Sequence, residues 1–61
     1  MAKNYIITTE AMHLSPGRKF RIHGQKTVCE FIEDNGLTYK FKRGKQIIES
    51  DEYAMLVDAI Y

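Results

Sequence analysis

The sequence predicts a β-rich α+β domain, about five short strands in a twisted meander followed by a C-terminal helix. Three observations carry this. Glycine-containing turn signals recur at Pro16-Gly17, Gly24, Asn35-Gly36 and Gly44, leaving only strand-length segments between them. Those segments alternate apolar and polar residues, the period of a half-buried strand. Residues 51–61 instead space their large apolar side chains as a helix does.

The first strand is expected over 4–9, where Tyr5-Ile6-Ile7-Thr8-Thr9 is β-branched and aromatic. Glu10 to Leu14 forms one helical turn or a loop, and Ser15-Pro16-Gly17 is a turn, because proline presets its own φ and glycine accepts φ > 0. Further strands follow at about 18–23, 26–33, 37–42 and 45–49. In the first of these, Phe20 and Ile22 fall on one side and Lys19, Arg21 and His23 on the other.

The hairpin at Asp34-Asn35-Gly36 sets the register. A three-residue loop with Gly36 left-handed pairs Glu33 with Leu37, Phe31 with Tyr39 and Cys29 with Phe41. A two-residue turn at Asn35-Gly36 would set Phe31 against Lys40 and Glu30 against Phe41, and a one-residue slip reverses every face. The longer loop is preferred, since it gathers Cys29, Phe31, Tyr39 and Phe41 with Phe20 and Ile22 on one apolar face.

The helix is expected over 51–60. Ser50 is placed as its N-cap, and Asp51 and Glu52 lie in the first turn, where the helix dipole favours negative charge. Tyr53, Leu56, Val57, Ile60 and Tyr61 share one arc, with Asp51, Glu52, Ala54, Asp58 and Ala59 opposite. So short a helix does not persist alone and must dock on the sheet. The phrase Ser15-Pro16-Gly17-Arg18-Lys19-Phe20-Arg21-Ile22 resembles the opening strand of SH3-like barrels. The resemblance covers residues 15–50 and implies a strongly twisted meander or a partly open barrel.

Residues 1–61 form one domain, near the lower size limit for a single core. Cys29 is the only cysteine, so no internal disulfide supports the fold. Cys29, His13 and His23 lack the paired spacing of a zinc site, so no metal is expected. Local consistency or weak self-association remains to stabilise it. No apolar run reaches the length of a secretory signal or of a membrane span, which points to the cytoplasm and away from a membrane. The net charge of +1 argues against both an acidic DNA mimic and a generic basic coat protein.

Charge arrangement therefore carries the functional expectation. The outward sheet face is expected to hold Lys19, Arg21, Lys40 and Lys42, with Glu30 between Lys19 and Lys40, and with Arg43 and Lys45 at the adjoining turn. The acids Glu49, Asp51, Glu52 and Asp58 would collect on the helix, leaving a polarised molecule. That basic face suggests a nucleic-acid backbone as ligand, although the aromatics that would stack bases point inward. The alternative is a protein-binding regulator, a small inhibitor or adaptor docking through a sheet edge or through Val28, Ile32 and Met55.

No enzyme is expected. Cys29 sits among aromatics as a packing thiol, and His13 and His23 are each alone. Ser15 and Ser50 serve a turn and a cap, and no His-carboxylate pair is placed to activate either. The glycines have turn spacing with no phosphate-binding loop among them, and nothing calls for a cofactor.

Overall fold

A computed structural model describes residues 5–61. Its strands are β1 (Ile6–Glu10), β2 (Lys19–Ile22), β3 (Val28–Asp34), β4 (Tyr39–Arg43), β5 (Gln46–Ser50) and β6 (Leu56–Ile60), with one 3-10 turn at Ala11–His13. They form one antiparallel six-stranded sheet in the order β1-β6-β2-β3-β4-β5, open at β1 and β5. Asn4, expected in the first strand, lies outside the described residues.

The largest correction is at the C-terminus. In place of the five-strand SH3-like meander or partly open barrel with a helix at 51–60, the domain is all-β among the described residues. The expected helix is a turn followed by β6, which inserts between β1 and β2. Leu56-Val57-Asp58-Ala59-Ile60 also alternates. Val57 and Ala59 are fully buried at 0% exposure, whereas Leu56 is 51% exposed. A helix would bury Leu56 and expose Ala59. Pairing on both sides satisfies every backbone group of a central strand, which a short docked helix gains only from itself. Ser50 Oγ does accept from Glu52 N at 3.1 Å, as a cap would, but the chain turns there instead of winding on.

The second correction is register. Phe31 lies opposite Phe41 and Cys29 opposite Arg43, not Tyr39 and Phe41 as expected. The loop is longer than three residues. Asn35 Oδ1 accepts from Leu37 N and Thr38 N, both at 2.9 Å, so Leu37 and Thr38 belong to the loop and Asp34 pairs with Tyr39. Gly36 takes the left-handed conformation, φ +92°, that the turn requires. A bulge at Ile32, between Phe31 and Glu33, then re-phases the strand. Without it Ile32 would oppose Phe41 and Phe31 would point outward. The Phe31 pairing is thus offset by two residues from the expected one, and an even offset keeps the faces of Cys29 to Phe31, whereas beyond the bulge Glu33 is offset by three and moves to the outer face opposite Lys40.

The inner face holds the core. Phe20, Cys29, Phe31, Tyr39, Phe41, Val57 and Ala59 are buried together with Ala11 and Leu14, and Ile22, Ile48, Tyr53 and Met55 pack against them. Phe20 meets Phe41 edge-on at 5.5 Å between centroids, and Tyr39 lies 5.2 Å from Tyr53. The buried Tyr39 hydroxyl donates to the Glu52 carbonyl at 3.0 Å, so its polar tip is satisfied. Two flaps cover this face: the 3-10 turn and the turn before β6. They are tied by Ala11 N to the Met55 carbonyl at 2.9 Å and Met12 N to the Tyr53 carbonyl at 3.0 Å.

Candidate interaction surface

The outer face places the expected basic residues in cross-strand rows. Ile6, Ile60, Lys19, Glu30, Lys42 and Ile47 form one row, and Thr8, Asp58, Arg21 and Val28 the next. Glu33, Lys40 and Glu49 form a third. Glu30 therefore lies between Lys19 and Lys42, not between Lys19 and Lys40, and Lys40 Nζ sits 3.7 Å from Glu33. Arg43 has the opposite strand parity to Lys40 and Lys42 and faces Cys29, while Lys45 stands exposed in the turn after β4.

Losing the helix changes the charge pattern. Glu49 and Asp58, expected on a separate acidic helix, lie on the outer sheet face with Glu10, Glu30 and Glu33. On these strands Lys19, Arg21, Lys40 and Lys42 are each next to a carboxylate across the ladder. The face is mixed rather than basic.

Thr8, Asp58 and His23 form a network that spans β1, β6 and the end of β2. Thr8 Oγ1 donates to Asp58 Oδ1 at 2.8 Å, and His23 Nδ1 lies 3.0 Å from the same oxygen. The Thr8 hydroxyl, then the His23 ring, holds the Asp58 carboxyl below its ordinary value. At the far rim, Asp34 accepts from Gly36 N at 2.8 Å and from the Tyr53 hydroxyl at 2.7 Å. These bonds hold its carboxyl down. Desolvation, then the Asp34 bond, pushes Tyr53 up to about 12. Neither network was legible in the sequence, because the partners are distant along the chain and no spacing motif joins them.

Cys29 is buried, and burial raises its thiol above the ordinary value, the reverse of what a nucleophile needs. Among the described residues no three His, Cys, Asp or Glu side chains gather as a metal site would require. A depression of about 210 Å³ lined by Lys19, Val28, Cys29, Glu30, Lys42 and Gly44 is smaller than the roughly 300–1,000 Å³ of ligand pockets. Val28 and Ile32 are exposed, but Met55 packs against the core, so the three do not converge on one patch.

The sheet edge that sequence reasoning left unspecified is β1. Tyr5 and Tyr61 exchange both backbone hydrogen bonds, at 3.1 and 2.8 Å. By the antiparallel alternation, Tyr5, Ile7 and Thr9 turn their backbone groups toward β6, and Ile6, Thr8 and Glu10 turn theirs to the open side. Tyr5, Ile6 and Ile7 are 56%, 51% and 45% exposed, and no charge occurs from Tyr5 to Thr9. The Tyr5 and Tyr61 rings stack at 5.2 Å, with the Arg18 guanidinium 4.0 Å from the Tyr61 centroid. No helix among the described residues is long and apolar enough to cross a membrane. The chain matches no protein-family model, no curated protein and no solved structure among those compared with it.

Proposed function

We propose that this domain is a noncatalytic binding module that recruits an extended protein segment by strand addition along β1, in the cytoplasm. One observation carries the reading: β1 is an unguarded edge. Natural sheets blunt their edges with charge, proline or a bulge. From Tyr5 to Thr9 this edge has none of these, the one charge of β1, Glu10, standing at the strand's last residue, and its register with β6 is unbroken. An incoming strand would bond the free backbone groups of Ile6, Thr8 and Glu10, with Ile6 and Ile7 giving apolar contact on opposite faces. The cytoplasmic placement rests on the reduced, buried Cys29.

Nucleic acid is the second reading. It draws on Lys19, Lys42 and Lys45 near the β4–β5 turn, where Lys45 has no acidic neighbour along the chain. The carboxylates interleaved with the other cations place it behind the edge.

Ile6→Pro tests the proposal. The Ile6 N–H faces the open side, so proline removes a donor the isolated fold does not use. Immobilised wild type should retain a protein from nuclease-treated lysate, and Ile6→Pro should not. Retention that depends on nucleic acid, or that survives Ile6→Pro, would overturn the edge reading.

A further inference from the structure

We infer that the strand accepted by β1 is β1 of a second copy, paired antiparallel about a two-fold axis at Ile7. The inference rests on the reading of β1 as a docking edge and names its partner.

Parity and side-chain pairing select the register. The outward backbone groups belong to Ile6, Thr8 and Glu10, so any strand-strand bonds use these residues. With the axis at Ile7, Ile6 of each copy exchanges both backbone bonds with Thr8 of the other. Ile7 then meets Ile7 as a non-hydrogen-bonded pair, the closer kind, with Cα atoms about 4.5 Å apart. Tyr5 of each copy meets Thr9 of the other on the same face, an aromatic residue against a β-branched one. An axis at Thr8 would instead set Ile6 against the Glu10 carboxylate. Axes farther along either way shorten the paired segment within Tyr5–Glu10.

Charge and closure favour a copy of this chain. The net charge of +1 gives two copies little mutual repulsion, and no charged side chains meet across Tyr5 to Thr9. Pairing β1 with β5 of another copy would be head-to-tail and would propagate as a fibre. β1–β1 pairing closes at two copies and consumes both unguarded edges. β1 supplies five residues, against the roughly 20–30 a side of a stable interface. The dimer is therefore weak, with Kd in the range of about 1 μM to 1 mM.

Sedimentation equilibrium of the wild-type chain, from about 10 μM to about 1 mM, should show reversible monomer–dimer exchange. Ile6→Pro should weaken the dimer by at least about tenfold while keeping dispersed amide NMR signals. If that variant does not fold, Ile7→Lys, which leaves the backbone intact, should give the same loss. Mild oxidation should cross-link Ile7→Cys at least about fivefold more than Thr8→Cys, because only the residue on the axis is within disulfide reach of its own copy. A chain monomeric throughout, a dimer indifferent to both edge variants, or preferential cross-linking of Thr8→Cys would each overturn the inference. A monomeric wild type that still retains a lysate protein in an Ile6-dependent way leaves strand addition standing and removes only the second copy. Loss of both removes both readings.

Discussion

The two faces of this sheet are built from the same strands yet obey different rules. The inner face is aromatic and apolar, and among the described residues no buried polar side chain lacks a partner. The outer face mixes acids and bases with aliphatics such as the cross-strand pair Ile6 and Ile60. On the inner face every position is held by its neighbours, so volume decides. On the outer face charges neutralise one another at close range, and most single changes are absorbed. The faces meet at β1, where Tyr5, Ile6 and Ile7 are exposed whichever way they point.

The largest expected effect lies at the centre of the inner face. Phe20 is fully buried, and Phe20→Ala should cost about 3–5 kcal/mol. A core of this size supplies about 3–5 kcal/mol in total, so the variant should be unfolded by circular dichroism at 25 °C. A cooperative melt near the wild-type temperature would show that the inner face is not the core.

Next comes the hairpin that sets the phase of that face. Gly36→Val forces a β-branched residue into a left-handed conformation and should cost about 1–3 kcal/mol in urea unfolding. Nothing crowds the site of a Cβ there, so the cost is backbone strain alone. An unchanged midpoint would remove the conformational argument.

The rim at Asp34 and Tyr53, and the outer-face carboxylate Asp58, should respond to pH. Asp34 and Asp58 have lowered carboxyl values in the fold, so the stability they contribute is present above about pH 4 and lost as pH falls through their folded values. Tyr53 is raised to about 12, so its contribution is present below about pH 10 and lost as pH climbs toward that value. Urea midpoints should therefore fall at both extremes. Tyr53→Phe should shrink the alkaline arm to the part that buried Tyr39 and Cys29, both also raised by burial, contribute, and an unaltered alkaline arm would place the titration elsewhere.

The smallest effect belongs to the outer face. Arg21→Glu with Lys42→Glu should cost no more than about 1 kcal/mol per site, the cost of setting like charges opposite Asp58 and Glu30 on a solvated face. The same variant probes the second functional reading. Low-salt titration with mixed-sequence DNA and RNA should show no binding for either protein. Wild-type binding abolished by the double change would make the outer face the functional one.

Legibility followed the range of the forces involved. Turn chemistry is local, so Gly36 and the breaks at Gly24 and Gly44 were readable from the residues themselves. Burial on β2, on β3 up to Phe31 and on β4 was readable too, because alternation reports parity and parity survived a register offset of two, but the bulge that turned Glu33 outward was not. The interaction edge was readable only as one option among several. Tyr5 to Thr9 identifies itself as a strand, but nothing in it says that one side is paired with β6 and the other with no strand among the described residues.

By itself the sequence determined a β-rich chain, its turn positions and which residues of the meander share the apolar face, since each depends on neighbours a few residues away. The tertiary structure alone decided the fate of residues 51–60. Leu56 to Ile60 satisfies a helical arc and a strand alternation equally well, and so few residues carry no intrinsic stability to choose between them. Two open strand edges, β1 and β2, supplied the missing hydrogen-bond partners from the N-terminal part of the chain. That long-range pairing turned Ala59 inward, moved Asp58 onto the same face as the lysines, and left β1 as the exposed edge.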